Sequence, residues 1–391
     1  MTTMTACGMG DPSAGGDKAA SAATTAAAVQ RNDALTARAR IASSDVPTDA
    51  VDGPLLAGCQ MFPGDAVFNQ RIDDAARFPA HAMSDHWIGM IGDTNLRTAW
   101  ANTESGPDSE AYRGVPWHLV GSSPDWATVS FRQPYAATDD PQPAMEQSDC
   151  AVFTPDSGLA VQQCIRAPQQ QQRFPFPTDA AVASKGACGP QGCGERRRVV
   201  LESGACRLWE ASASEKVGNQ WHARATAAWD LNSHGMRPDG WSTGDAGGLP
   251  VLPLLLRAEE AELGEIRHAL RVSFRDSVLD DAHVWPARHH DGGPTPGGIP
   301  FGARLRLRSD IAIPPEWTPQ AKVVARAMQQ YGLLVADIGD DFQVPGEPSV
   351  RWSNDTMAQL RSFTSRHFEF VDIRSVTQHP HFNADSLRAS W

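Results

Sequence analysis

The sequence has no long apolar run, no excess of basic residues and no Gly-rich phosphate loop. Its most apolar stretch, residues 249–256, is interrupted by Pro250 and Pro253, whereas a membrane-spanning helix needs about 20 predominantly apolar residues. The formal net charge is −12 over 391 residues, which excludes proteins that bind nucleic acid by neutralising its phosphates. Without a Gly-rich loop after an early strand, we do not expect a parallel, doubly wound fold.

Residues 1–50 contain 14 alanines and no aromatic residue. Such a stretch buries too little apolar area to offset the entropy of ordering it, so we predict a disordered tether over residues 1–53. Within it, Met4-Thr5-Ala6-Cys7-Gly8 resembles the lipidation box of bacterial lipoproteins, with Cys7 as the lipidated residue. A lipid on Cys7 would be the only membrane contact of the protein. The alternative is that Cys7 is an ordinary residue.

The six other cysteines form an even set in a chain that the tether assigns to an exported protein, which predicts disulfide bonds. Local spacing favours two short loops and leaves one long-range pair. We expect the pairs Cys150–Cys164, Cys188–Cys193 and Cys59–Cys206. Free structural thiols are the alternative, and a zinc site is disfavoured because Cys188 and Cys193 lack a matching second pair. The expected location is the periplasm, the outer membrane or the cell surface, or else the medium after secretion.

Residues 54–316 are predicted to form a β-rich domain with loops pinned by disulfides. Several segments alternate between apolar and polar residues with a period close to two, which is typical of strands. We predict strands at Arg198–Glu202, Arg207–Ala211, Trp221–Trp229, Glu265–Phe274 and Arg304–Arg308. The expected fold is therefore mainly β, with an antiparallel β-sandwich as its core.

The alternation also assigns side chains to faces. Over residues 266–274 it predicts that His268 faces the core, while Arg267 and Arg271 point away from it. In Arg304–Arg308 it predicts that the two leucines face inward and that three arginines form an outer row. We expect that row to be solvated, with anion binding as the alternative.

Residues 317–391 change to a helical period and are predicted to be an α+β part packed on the same core. Thr318 supplies a cap and Pro319 a first-turn residue for a helix that ends at Gly332. We then predict a strand at Leu333–Ile338, a second helix at Ser353–Phe363 and a final strand at Phe368–Ile373.

Five segments resemble a family of exported bacterial proteins that often carry immunoglobulin-like, fibronectin-like or carbohydrate-binding modules. They are Trp229-Asp-Leu-Asn-Ser, Arg237-Pro-Asp-Gly-Trp-Ser-Thr-Gly-Asp-Ala-Gly-Gly-Leu-Pro, Gly264-Glu-Ile-Arg-His-Ala-Leu-Arg-Val, Val284-Trp-Pro-Ala-Arg-His and Tyr331-Gly-Leu-Leu-Val-Ala-Asp. The resemblance extends from about Met61 to Asp372 and implies an extracellular polysaccharide as ligand. Glu195-Arg196-Arg197 stands where that family has Asp-Arg-His, so a relative without activity is the alternative.

The loop from Arg237 to Pro250 is the strongest candidate for a sugar site. Asp239 and Asp245 offer carboxylates, and Trp241 offers a flat face on which a sugar ring can stack. Glycoside hydrolysis needs a proton donor and a second carboxylate, and we expect Asp239 or Asp245 to form that pair with Glu265. The alternative for these aspartates is a structural role in turns.

His268 is expected to assist the carboxylates, although a buried structural histidine is the alternative. Arg237, Trp241, Arg288 and His289 are the predicted substrate contacts. Neither a metal ion nor a cofactor is expected, because the adjacent His289 and His290 would point in opposite directions on an extended chain.

These residues predict a monomeric, exported enzyme that cleaves a glycosidic bond of a polysaccharide by acid/base chemistry. A polysaccharide lyase is the nearest chemical alternative, with an arginine to neutralise a uronate. A carbohydrate-binding or structural surface lipoprotein without catalysis is the alternative from another class.

Overall fold

A computed structural model describes eight stretches of the chain, and all of them lie in one compact unit that spans residues 46–391. They are residues 53–102, 114–121, 124–131, 145–154, 158–177, 196–242, 245–380 and 382–388. The predicted tether, Cys7, the Cys188–Cys193 pair and Glu195 lie outside the described residues, apart from Gly53 at the end of the tether.

Strands predominate over helices, and most of the paired strands are antiparallel. In chain order the strands are β1 (Leu55–Leu56), β2 (Cys59–Gln60), β3 (Arg97–Ala99), β4 (Trp117–Val120), β5 (Ala127–Phe131), β6 (Asp149–Thr154), β7 (Gly158–Gln163), β8 (Arg173–Phe174), β9 (Arg198–Glu202), β10 (Arg207–Ser212), β11 (Glu215–Val217), β12 (Gln220–Ala223), β13 (Ala225–Asp230), β14 (Leu270–Phe274), β15 (Leu279–His283), β16 (Ile299–Phe301), β17 (Arg304–Leu307), β18 (Leu333–Ile338), β19 (Gln343–Pro345) and β20 (Phe368–Val371). The predicted fold class, mainly β with a sandwich core and a small α+β part, is confirmed.

In the part of the chain that the structure describes, five α-helices accompany these strands. They are α1 (Ser84–Ile91), α2 (Ala258–Leu263), α3 (Pro319–Gln330), α4 (Asn354–Leu360) and α5 (Ile373–Thr377). Helices α3 and α4 confirm the two predicted helices. Both begin at a side-chain cap, since the Thr318 and Ser353 hydroxyls accept hydrogen bonds from the first-turn N–H groups of Ala321 and Thr356. Among the described residues, no helix is long and apolar enough to span a membrane.

The sandwich consists of two sheets that pack face to face. We call the six strands β11-β12-β5-β8-β6-β7 the outer sheet and the four strands β13-β10-β9-β4 the middle sheet. Val129 and Trp221 of the outer sheet share a small core with Val200 and Trp209 of the middle sheet. The predicted strand Trp221–Trp229 is in fact two strands in different sheets, β12 and β13.

The middle sheet is buried on both faces. Along β9, Val199 and Leu201 belong to the large core of the protein, whereas Val200 between them belongs to the small core. Successive side chains of a strand point to opposite faces, so this run of apolar residues covers two cores at once.

A third sheet, β20-β17-β18-β14-β19-β3, lies against the large core and combines strands from both predicted parts of the chain. Residues 97–99 pair with residues 343–345 across this sheet, and residues 304–307 pair with residues 368–371. The stretches 54–316 and 317–391 therefore share one sheet.

The sequence predicted that five arginines of these strands point away from the core, and the prediction is wrong for three of them. Arg271, Arg304 and Arg306 are buried, because both faces of this sheet are covered. Arg304 donates to the carbonyl oxygens of Tyr331, Val67 and Gln70, and these bonds replace the water that the guanidinium loses.

Two of the three predicted disulfides are confirmed, Cys59–Cys206 and Cys150–Cys164. Disulfides form and persist in oxidising compartments, so they indicate an environment outside the cytoplasm. Cys59–Cys206 joins β2 to the turn before β10, and Cys150–Cys164 joins β6 to the residue that follows β7.

Candidate functional site

The predicted substrate contacts come together where the loop after β13 meets the loop after β15. The Gly240 N–H donates to the Arg288 carbonyl at 2.6 Å, and Arg288 Nε donates to the Arg237 carbonyl at 2.9 Å. The Arg237 guanidinium lies 5.3 Å from the centre of the Trp241 ring. Four of the predicted residues, Arg237, Asp239, Trp241 and Arg288, are thus neighbours.

Glycine allows the close contact between these loops. Gly248 has a φ of +65°, and a Cβ on it would lie 2.8 Å from the Trp241 carbonyl oxygen and 3.2 Å from the Cβ of His289. Gly248 therefore brings this loop against other residues of the protein.

A row of four side chains, two aspartates and two histidines, lies at this junction. Asp239 Oδ1 is 3.1 Å from His283 Nε2, His283 Nδ1 is 2.8 Å from His290 Nδ1, and His290 Nε2 is 3.4 Å from Asp281 Oδ1. We call Asp239, His283, His290 and Asp281 the histidine–aspartate row. Asp281 and His283 lie on the same face of β15, because they are two residues apart on a strand.

The row is open to solvent at both ends. The side chains of Asp239 and Asp281 are 69% and 77% exposed, and those of His283 and His290 are 18% and 37% exposed. Exposed carboxylates beside imidazoles can exchange protons with a bound molecule. Sequence analysis missed Asp281, His283 and His290 as site residues, since only the paired loops bring them to Asp239.

Among the described residues, Arg288 is a cation that contacts the row, with its Nη2 atom 4.0 Å from Asp239 Oδ1. Burial lowers the pKa of Arg288, and the charge of Asp239 opposes that shift. Arg237 lies deeper and is fully buried, where its guanidinium pairs with Asp149 and faces the rings of Trp229 and Trp241. Burial lowers the pKa of Arg237, while Asp149 opposes that shift. Arg237 thus supports the loop from below.

Asp245 does not share the surface position of Asp239. It is buried, its Oδ2 atom lies 2.6 Å from Arg271, and its Oδ1 atom accepts the Leu249 N–H at 3.0 Å. Burial raises the pKa of Asp245, against the opposing effect of the Arg271 charge. Asp337 and Arg197 join the same buried network. The role expected for Asp245 as a catalytic acid or base is not supported by this position.

His268 and Glu265 lie apart from the row. His268 is fully buried, with Nε2 3.1 Å from both Arg257 and Glu260. Burial acts to raise the pKa of Glu260, but its contacts with Arg257 and His268 lower that pKa to about 2. Glu265 is exposed and has Tyr331 and Arg71 among its electrostatic neighbours. Nothing in the described residues supports the expected pair of Glu265 with Asp239 or Asp245.

One sequence motif of the loop also escaped the sequence prediction. Gly240-Trp241-Ser242-Thr243-Gly244 has the Gly-x-Ser-x-Gly spacing of a hydrolase nucleophile elbow. An elbow requires a strand before the serine, and the residues before Ser242 form turns, while its N–H donates to Gln147 Oε1 at 2.9 Å. The spacing does not make Ser242 a nucleophile here.

Glu210 is a buried carboxylate below the loop and gives a prediction about stability. Its Oε1 atom accepts the N–H groups of Val251 and Leu252. Burial raises the pKa of Glu210 to about 7, although Arg197 opposes that shift.

The folded protein therefore binds more protons than the unfolded chain between the ordinary pKa of a glutamate and about pH 7. Stability contributed by protonated Glu210 is lost as pH rises through this range, and the loss is about 3 kcal/mol. In urea unfolding at pH 5 and pH 8, Glu210→Gln should remove this part of the pH dependence. An unchanged pH dependence in the variant would contradict the assignment.

No group of three or more His, Cys, Asp or Glu side chains in the described part of the chain has the arrangement of a metal site. Comparison with models of protein families, with curated proteins and with solved structures finds no match to this chain. The site itself must therefore carry any argument about function.

Proposed function

We propose that the protein cleaves a glycosidic bond of an extracellular polysaccharide at the histidine–aspartate row. The observation that supports this most is the exposed Asp239 carboxylate, which is hydrogen-bonded to His283 and lies in the loop that carries Trp241. A carboxylate in this setting can act as a general base, and the two imidazoles supply a proton donor. Trp241 offers an apolar face for a sugar ring.

The row differs from the usual pair of catalytic carboxylates. In most glycosidases two carboxyl groups face each other across the bond that is cleaved, with only substrate or water between them. Here two imidazoles occupy the path from Asp239 to Asp281. The proposal therefore assigns the base to Asp239 and the acid to the histidines, and it replaces the expected role of Glu265.

The charges at the site favour hydrolysis of a neutral sugar over elimination at a uronate. Elimination requires a cation that is available to the substrate carboxylate. Arg288 contacts the row among the described residues, but its side chain is only 10% exposed, donates to the Arg237 carbonyl and lies 4.0 Å from Asp239.

The test is mass spectrometry of products after incubation of the protein with bacterial, plant and algal polysaccharides. Hydrolysis gives oligosaccharides that carry one added water, whereas elimination gives unsaturated products without it. If none of these polysaccharides is cleaved, the result would contradict the proposed activity and favour a carbohydrate-binding or structural surface protein.

We expect Asp239→Asn to lower kcat/KM about a hundredfold, because the amide cannot accept a proton and general base catalysis contributes at least about that factor. His86→Gln, on the exposed side of α1, is the matched control and should leave kcat/KM unchanged. Glu265→Gln separates the two assignments: full activity supports the row, and a comparable loss would restore Glu265 as the catalytic carboxylate.

A further inference from the structure

The two histidines of the row face each other through the same type of nitrogen. His283 Nδ1 and His290 Nδ1 are 2.8 Å apart, a hydrogen-bond distance that requires one proton between them. His283 Nε2 is 3.1 Å from Asp239, and an ionised carboxylate only accepts, so this nitrogen carries a proton as well.

These two requirements fix the tautomers of a neutral pair. A neutral imidazole has one N–H group and one acceptor nitrogen. If His283 donates from Nε2, its Nδ1 accepts, and His290 must donate from Nδ1. The remaining nitrogen, His290 Nε2, would then turn a lone pair toward the Asp281 carboxylate at 3.4 Å.

We propose that the row holds one proton more than two neutral imidazoles, that this proton resides on His290, and that His290 is the general acid of the site. With the extra proton on Nε2, His290 presents a cation to Asp281 and all three contacts of the row become favourable. The catalytic part of this inference depends on the proposed hydrolysis, whereas the proton count does not.

The surrounding charges support a cation at this position. Two carboxylates, Asp239 and Asp281, lie at the ends of the row, and Arg288 is the cation that contacts one of them. His289 stacks on His290 with ring centres 6.0 Å apart, but its Nδ1 atom contacts the Ala246 carbonyl and so lies outside the row. One positive charge on the histidine pair brings the formal charge of these groups to zero.

In the proposed reaction the protons balance without an external reactant. A water molecule attacks the anomeric carbon and gives a proton to Asp239 while the glycosidic C–O bond breaks. His290 gives its Nε2 proton to the leaving oxygen. Solvent then returns the proton from Asp239 to His290, since both side chains are exposed.

The test is nitrogen NMR of the full chain labelled with ¹⁵N-histidine, in the absence of any sugar. We expect His283 and His290 to titrate as one unit that takes up a single proton, with His283 Nε2 protonated throughout. In His290→Gln the uptake of that proton should disappear, whereas His86→Gln should leave it intact. Two independent titrations, or two neutral rings that never titrate together, would overturn the proton count.

The kinetic test separates this inference from the proposed function. If a substrate is found, His290→Gln should lower kcat about a hundredfold with little change in KM, and the alkaline limb of the pH profile should vanish. A variant that retains that limb would disprove the role of His290 even if hydrolysis is confirmed. Conversely, a coupled titration would still support the proton count if no polysaccharide is cleaved.

Discussion

Replacement of Cys59 and Cys206 by serine is expected to lower the free energy of unfolding by about 5 kcal/mol. The bond joins residues 147 positions apart, and the entropy that such a link removes from the unfolded chain grows with the length of the loop. Urea unfolding under oxidising conditions measures the change.

The second disulfide provides the matched control. Cys150 and Cys164 are only 14 positions apart, so the same double serine replacement there should cost about 3 kcal/mol. Equal losses for both pairs, or a smaller loss for the long loop, would show that strain or residual structure outweighs loop entropy.

Arg271→Met is expected to destabilise the protein by about 3 to 5 kcal/mol, because it removes one partner of a buried ion pair. Arg271 lies 2.6 Å from Asp245 and 3.7 Å from Asp337, and its side chain is almost inaccessible. Without the guanidinium, the Asp245 carboxylate stays buried but loses this counter-charge.

Two further variants test this explanation. Arg308→Met breaks an exposed pair with Asp310 and should change stability by less than about 1 kcal/mol. Arg271→Met combined with Asp245→Asn removes both charges, so it should be more stable than Arg271→Met alone. If the double variant is less stable, the pair is not the cause of the loss.

The sequence predicted two of the five helices of the described residues, α3 and α4, and many strands, because their determinants are local. Thr318 and Ser353 cap helices through contacts three residues away, and Leu333–Ile338 forms a strand with the predicted bounds. The arginines of β17 were assigned to the wrong environment, since alternation shows that two faces differ but not that one of them is exposed. Arg304 and Arg306 are buried because other parts of the chain cover them.

The candidate site could be predicted only in part for the same reason. Asp239 and Arg288 were identified from the residue types of two motifs, and the structure brings them within 4.0 Å. His268 resembled a catalytic residue in sequence, yet its partners Arg257 and Glu260 hold it in the core. The contact between His283 and His290 depends on how the loop after β15 folds back onto that strand. The spacing of the two residues in the sequence does not predict this.

The pairing of β3 with β19 has a consequence for the order of folding. Residues 97–99 lie near the start of the folded part, and their partners, residues 343–345, lie near its end. Contacts between distant parts of a chain form slowly, because loop closure must precede them. The third sheet cannot be completed during synthesis until nearly the whole chain has emerged, so its folding is largely post-translational. The edges of β3, β14 and β17 lack their partners in that interval and are exposed to aggregation, and slower synthesis would not protect them.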